Sequence, residues 1–190
     1  PPLLARCNEN DGRIACRGPG VDSDERGHSY VRLGGRCPKG MLSLVRMVVE
    51  QHTIKLFWQQ DAFLRDEASH VAAATGRGGG KSYVGAAKAL KFVSELPGAM
   101  GMVTAPSYTT LRDATLLSVR SVWPEAMTKD FHPSSNTLIV PNGSQVLFRT
   151  TDDPGLLRGP NLAFFWMDEA PYSSQEAFKV LQGTLRQPGY

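Results

Sequence analysis

The stretch that decides the fold is residues 75–82, which read TGRGGGKS. It follows a short apolar run at residues 70–75 and precedes residues 81–96, whose apolar side chains recur at helical spacing. A glycine-rich loop between a strand and a helix is the setting in which backbone N–H groups at a helix N-terminus wrap phosphate oxygens. Glycine is needed because Cβ atoms would block that approach. The sequence therefore predicts a phosphate-binding loop.

Individual residues of this loop have predicted roles. Lys81 would supply a cation to the β- and γ-phosphates of a nucleotide, and the Ser82 hydroxyl would be a ligand for Mg²⁺. The common pattern opens with glycine where Thr75 stands, so the match is not complete. Arg77 has two interpretations, a solvated surface arginine or a charge acting in cis on the γ-phosphate, and the loop alone does not separate them.

An acidic pair follows the apolar run at residues 162–167, which is typical of a strand covered on both faces. Asp168 and Glu169 would then lie at the carboxyl end of that strand, where open α/β sheets bind ligands. We expect Asp168 to hold Mg²⁺ directly or through water, and Glu169 to polarise the water that attacks the γ-phosphate. An isolated Asp-Glu pair is more often a solvated helix cap, but the upstream loop favours hydrolysis, and the second acid indicates an ATPase.

The remainder of the chain alternates strands and helices. Predicted elements are a strand at 101–104, a helix capped by Ser107 or Thr109 and ending near 122, hairpin strands at 137–140 and 144–150, and a helix at 174–186. The fold class predicted is an α/β P-loop nucleoside triphosphatase of the additional-strand, catalytic-glutamate type. Its sheet would be mostly parallel and flanked by helices, with a β-hairpin insertion.

Residues 1–40 differ in composition from the remainder of the chain. They contain eleven Gly or Pro but only six Leu, Ile, Val or Phe, too little apolar surface to offset the entropy of ordering. We predict that 1–40 is disordered or a non-native extension, and that 41–190 is the ATPase domain, beginning with short helices. The first residue, Pro1, suggests a fragment or a misplaced gene start. Three cysteines and a net charge of +3 indicate neither a disulfide framework nor, by themselves, a nucleic-acid partner.

The ordered set of motifs resembles the large terminase subunits of tailed bacteriophages. In that family the first motif often carries an arginine, as residues 75–82 do, and the departure at its first position is common. The resemblance extends to 104–106 (TAP), 146–150 (VLFRT), 157–161 (LRGPN) and 166–170 (WMDEA), and covers roughly residues 55–190. It implies an ATP-hydrolysing, Mg²⁺-dependent motor that drives DNA into procapsids.

The resemblance also implies roles for two residues outside the loop. Gln60 is similar to the family's adenine-reading glutamine, with Gln59 as the fallback and a surface glutamine as the alternative. Arg158 is similar to the trans-acting arginine that reaches a neighbouring subunit's ATP, and the alternative is a loop arginine paired with Asp152 or Asp153. The predicted catalytic residues are thus Glu169, Arg77 and Arg158; the nucleotide-binding residues are Gln60, Thr75, Gly76, Arg77, Gly78, Gly79, Gly80, Lys81 and Ser82; and the metal ligands are Ser82 and Asp168.

Partners and location are implied by the same resemblance. It implies ATP and Mg²⁺ as cofactors, with double-stranded DNA, a small terminase subunit and a portal protein as partners of a homo-oligomeric ring. The location would be the cytoplasm of the infected bacterium, with no membrane contact. The ATPase domain would be incomplete at its C-terminus and the family's nuclease domain absent. A helicase-type motor is the nearest rival, disfavoured by Arg77 and residues 157–159, and a non-catalytic nucleotide-binding module is the other, disfavoured by Glu169.

Overall fold

A five-stranded mixed sheet organises the part of the chain that the computed structural model describes, namely residues 20–23, 29–32 and 54–188. The strands are β1 (Gly20–Ser23), β2 (Ser29–Arg32), β3 (Met100–Ala105), β4 (Phe131–His132), β5 (Thr137–Ile139), β6 (Gln145–Thr150) and β7 (Phe164–Met167). The order in the large sheet is β4-β5-β6-β3-β7, and β1 and β2 form a separate antiparallel pair.

Helical segments connect these strands. They are α1 (Trp58–Arg65), α2 (Lys81–Glu95), α3 (Tyr108–Thr110), a π-helical turn (Leu111–Thr115), α4 (Leu116–Val122), α5 (Glu125–Thr128), two 3₁₀ turns (Pro154–Leu157 and Ala170–Tyr172) and α6 (Gln175–Thr184). The predicted cap of the 108–122 segment is present, since the Ser107 hydroxyl accepts a hydrogen bond from the Thr110 N–H. The predicted end near residue 122 is also observed, because helix α4 ends at Val122.

Three of the five strands run parallel, with β3 between β6 and β7. The other two pairings, β4 with β5 and β5 with β6, are antiparallel, so the sheet is less parallel than the predicted "mostly parallel" arrangement. The turn between β5 and β6 has Gly143 at φ 86°, and the Asn142 side chain accepts from the Ser144 N–H. This turn geometry lets the chain reverse direction between the neighbouring strands β5 and β6.

Both faces of the sheet are covered. One face packs on α2 and α4 through a large apolar cluster that includes Val103 and Phe148, and the other packs on α6 around Met102 and Leu181. Helix α2 approaches β7 closely, because a Cβ at Gly85 would lie 2.4 Å from the Trp166 ring. This close approach sets the first turn of α2 beside the end of β7.

Helix α1 is anchored on α2 by a buried lysine. The Lys88 ammonium donates to the Phe63 carbonyl at 2.8 Å and to the Asp66 carbonyl at 2.6 Å, at the C-terminal end of α1. Burial lowers the pKa of Lys88, and the two carbonyls and the Phe63 ring offset part of that cost. Orphan carbonyls at a helix end are thereby satisfied from a neighbouring helix.

The first half of the chain differs in part from its predicted organisation. The strand expected at residues 70–75 is wrong: the segment has no ladder partner among the described residues, and its side chains are exposed or half-buried. Instead, His70 contacts α6, with its Nε2 3.1 Å from Gln182 Nε2. The disorder expected over 1–40 falls outside the described residues, apart from β1 and β2, and of the short helices expected from residue 42 the described residues include α1. Within the described ranges, no helix is long and apolar enough to cross a membrane.

Candidate nucleotide-binding site

The glycine-rich loop (residues 75–80) enters α2 through two glycines in the left-handed region. Gly78 has φ 76° and Gly80, the residue that precedes α2, has φ 73°. Such values favour glycine, which has no Cβ. Among the described residues, no atom beyond the chain neighbours lies within 4 Å of where a Cβ would stand at Gly76 or Gly78, so the backbone there is open to a ligand. An open loop of backbone N–H groups at a helix N-terminus is suited to bind an anion.

The Lys81 side chain folds back onto this loop. Its ammonium donates to the Thr75 carbonyl at 3.2 Å and to the Gly76 carbonyl at 3.4 Å. Both contacts are long for a charged donor, so a phosphate oxygen can compete for the ammonium at little cost. The lysine therefore lies where the sequence analysis needs a cation.

Ser82 and Asp168 lie together although 86 positions separate them in the chain. The Ser82 hydroxyl donates to Asp168 Oδ1 at 3.0 Å, and Asp168 is only 4% exposed. The approach of α2 to β7 brings these two side chains together at the carboxyl edge of the parallel strands. The predicted metal ligands thus share one location.

The second oxygen of Asp168 has a partner that the sequence analysis missed. The Thr115 hydroxyl donates to Asp168 Oδ2 at 2.8 Å, and Thr115 is completely buried. A signal was present in the sequence, because Thr115 falls on the apolar stripe formed by Leu111, Val119 and Val122. A polar residue on such a stripe must have a buried hydrogen-bond partner.

Glu169 adopts a conformation that is uncommon for a residue with a side chain. Its φ is 48° and its ψ 43°, in the left-handed region, and it precedes the 3₁₀ turn Ala170–Tyr172. Its carbonyl accepts from the Tyr172 N–H at 3.0 Å. Residues held in this region cost about 1–3 kcal/mol each and cluster at functional sites. The half-buried Glu169 directly follows Asp168 at the edge of the sheet.

Gln60 contacts the loop from α1. It is 8% exposed, and its Nε2 donates to the Gly79 carbonyl at 3.3 Å and to the Gly80 carbonyl at 3.5 Å. Its Oε1 accepts from the Phe57 N–H at 3.0 Å. Gln60 is therefore not the surface glutamine of the alternative interpretation, since it joins α1 to the loop. The role of reading adenine stays a prediction.

The two predicted arginines are both exposed. Arg77 is exposed on the loop and has no ion-pair partner in the part of the chain that the structure describes. The Arg158 guanidinium lies 3.8 Å from Glu176, and both side chains are 68% exposed. The alternative that paired Arg158 with Asp152 or Asp153 is not observed: Arg158 pairs with Glu176, while Asp152 accepts from the Thr150 hydroxyl and Asp153 from the Gly155 N–H.

The donor set fits a hydrated magnesium ion held jointly with a nucleotide. Mg²⁺ typically keeps several waters and takes one or two protein oxygens together with substrate phosphates. Ser82 Oγ and Asp168 Oδ1 supply two such oxygens beside the open loop. No cluster of three or more His, Cys, Asp or Glu occurs among the described residues.

Comparison with solved structures places the fold. The Thermus Phage P74-26 large terminase ATPase domain superposes with a TM-score of 0.57 and 24% identity, over 69% of this chain and 60% of that one. An arginine-to-alanine variant of the same domain superposes with the same TM-score and 22% identity. The architecture of the described residues is therefore that of a large terminase ATPase domain.

Sequence comparison then identifies the family. Residues 73–188 match the family described as terminase large subunit, T4likevirus-type, N-terminal. The PBSX phage terminase large subunit of Bacillus subtilis (strain 168) is 34% identical over 118 residues, which are 60% of this chain and 27% of the relative. This chain belongs to the terminase large subunit family, and it spans about a quarter of the length of that relative.

Proposed function

We propose that this chain is the ATP-hydrolysing motor domain of a phage terminase large subunit, which powers the movement of DNA into procapsids. The observation that carries the proposal is the contact between Ser82 and Asp168, with the open glycine-rich loop on one side and Glu169 on the other. This is the arrangement expected of a P-loop nucleoside triphosphatase. Family membership supplies the biological setting.

Different residues of the chain would bind the nucleotide and act in its hydrolysis. The N–H groups of the loop and the Lys81 ammonium hold the phosphates of ATP, and Arg77 is free to add a second cation at the γ-phosphate. Ser82 and Asp168 would hold Mg²⁺, which when bound neutralises charge on the phosphate oxygens. Glu169, fixed by its backbone conformation, orients and deprotonates the attacking water.

Arg158 would act on a neighbouring subunit. Its guanidinium is exposed, and its ion pair among the described residues is a long one to Glu176, so it can leave that contact at small cost. A ring of subunits would place it against the next subunit's ATP, where an arginine stabilises charge in the transition state. The proposal thus includes a homo-oligomeric ring assembled on a portal protein, with double-stranded DNA and a small subunit as further partners, in the cytoplasm of the infected cell.

The test compares three forms of the large subunit that contains this chain: wild type, Glu169→Gln, and Glu125→Gln as a control for the same loss of charge at an exposed site away from the loop. We expect Glu169→Gln to bind ATP normally while DNA-stimulated hydrolysis and packaging fall together by at least about 100-fold, within the range for one acid–base group. Glu125→Gln should behave as wild type.

Two outcomes would count against the proposal. Hydrolysis that survives Glu169→Gln would show that the acidic pair is wrongly assigned. Wild-type protein that binds ATP but does not turn it over, even with DNA and the other packaging proteins present, would favour the non-catalytic module in which the nucleotide is only an assembly signal.

A further inference from the structure

We infer that Thr115 is a positioning residue that fixes the Asp168 carboxylate for Mg²⁺, an inference that rests on the proposed function. The inference starts from the direction of the hydrogen bond between Thr115 and Asp168. The Thr115 hydroxyl is the donor, and Asp168 Oδ2 is the acceptor. That bond occupies one oxygen and turns the other, Oδ1, towards Ser82. Each oxygen of the Asp168 carboxylate thereby has a hydroxyl donor from a different helical segment.

Burial protects the hydrogen bond between Thr115 and Asp168 from water. Thr115 is completely buried and Asp168 is 4% exposed, so water does not readily replace the hydroxyl at Oδ2. A charged acceptor that loses a buried donor would be driven to rotate or to change partners. The partners of metal-binding carboxylates orient them, and their loss typically lowers metal affinity or activity by about 10–100-fold.

A local departure from α-helical geometry lies at Thr115. The turn Leu111–Thr115 is π-helical, with the Leu116 N–H bonded to the Leu111 carbonyl, whereas α3 and α4 on either side are α-helical. A π turn accommodates one extra residue in a helix, and such turns are frequent at functional sites. Here it sets the last residue of the turn, Thr115, against the acidic end of β7.

The segment that carries Thr115 is also tied to α2, the helix that the glycine-rich loop enters. The Trp123 indole, directly after α4, donates to the Ala86 carbonyl of α2 at 2.9 Å, and both residues are buried. Val119 and Val122 of α4 belong to the same apolar cluster as α2. Thr115 is therefore fixed relative to α2, whose first residues are Lys81 and Ser82. Its hydrogen bond to Asp168 connects the same segment to the end of β7.

The experiment measures ADP binding by the large subunit as a function of Mg²⁺ concentration, by calorimetry, with a parallel titration in EDTA. Thr115→Val removes the hydroxyl but keeps the branched shape of the side chain, and Thr115→Ala removes the branch as well, so the comparison does not depend on one variant folding. Thr115→Ser keeps the hydroxyl but loses the methyl group. Thr128→Val makes the same change at a half-buried site on α5, where the hydroxyl donates only to the Glu125 carbonyl of its own helix.

We expect both hydroxyl-free variants to raise the Mg²⁺ concentration needed for half-saturation by about 10–100-fold, with ADP affinity in EDTA unchanged. Thr115→Ser and Thr128→Val should match wild type. An unchanged Mg²⁺ requirement in Thr115→Val and Thr115→Ala would overturn the inference. So would an equal loss in Thr115→Ser, or an equal loss in EDTA, because either would indicate a packing role. If wild-type ADP binding ignores Mg²⁺, the metal assignment of the proposed function fails as well.

Discussion

Gly80 is the position where one added methyl group tests the contact between α1 and the glycine-rich loop. In Gly80→Ala, the new Cβ would lie 2.3 Å from Gln60 Nε2, a distance that forces the amide to move. The backbone would also be strained, because Gly80 has φ 73°. The substitution therefore has two separable costs, one in the loop itself and one in the Gln60 contact.

Each cost can be given a magnitude. An alanine in the left-handed region costs about 1–2 kcal/mol. Displacing Gln60 breaks two long hydrogen bonds, 3.3 and 3.5 Å, worth about 1 kcal/mol together. We therefore expect Gly80→Ala to lower the free energy of unfolding by about 2–3 kcal/mol, the sum of these two terms.

A double-mutant cycle with Gln60→Ala isolates the second term. When Gln60 is already absent, Gly80→Ala should cost only the backbone strain, which leaves a coupling free energy of about 1 kcal/mol between the two sites. The assay is equilibrium urea unfolding of the four proteins, followed by tryptophan fluorescence and circular dichroism to check that the probes coincide. An equal cost of Gly80→Ala with and without Gln60 would refute this account of the contact.

Two further predictions concern glutamates. Because Glu169 has φ 48°, we expect the Glu169→Gly variant to be more stable than the Glu169→Ala variant by about 1 kcal/mol, the reverse of the usual order. Both variants lack the carboxylate, so thermal unfolding of the two compares the backbone effect alone. Burial raises the pKa of Glu95, so ionising this side chain costs the folded state free energy. The stability that the protonated group contributes is therefore present at acid pH and is lost as the pH rises through the folded-state pKa. Wild type should therefore gain unfolding free energy relative to Glu95→Gln as the pH falls from about 7 towards the usual glutamate pKa of about 4. A difference that stays flat over that range would contradict the raised pKa of Glu95.

Much of the site could be predicted because its elements are local. The spacing of its own apolar residues predicts helix α2, and a continuous apolar run predicts β7. The position of the acidic pair Asp168–Glu169 is set directly by where β7 ends. In each case the sequence around the element contains the signal, so tertiary contacts are not needed to recognise it.

The features that could not be predicted depend on contacts between distant segments. A strand exists only with a neighbour to bond, and residues 70–75 have none in the described residues, so their apolar composition is misleading. The Thr115–Asp168 hydrogen bond spans 53 positions and needs a π turn, for which the sequence has no simple signature. The resemblance to the terminase family points to Gln60, with Gln59 as the fallback, but the bonds of Gln60 to the loop require the packing of α1 on α2.

The two attachments of α1 differ in strength, and this difference bears on the predicted role of Gln60. At the C-terminal end of α1, Lys88 makes two short charge-assisted hydrogen bonds, 2.8 and 2.6 Å. At the other end, Gln60 donates two long ones, 3.3 and 3.5 Å, from a neutral amide. Charge-assisted bonds are about twice as strong as neutral ones. The Gln60 amide can therefore exchange a loop carbonyl for a base edge while Lys88 keeps α1 in place, so contact with the loop and contact with adenine are compatible roles for one side chain.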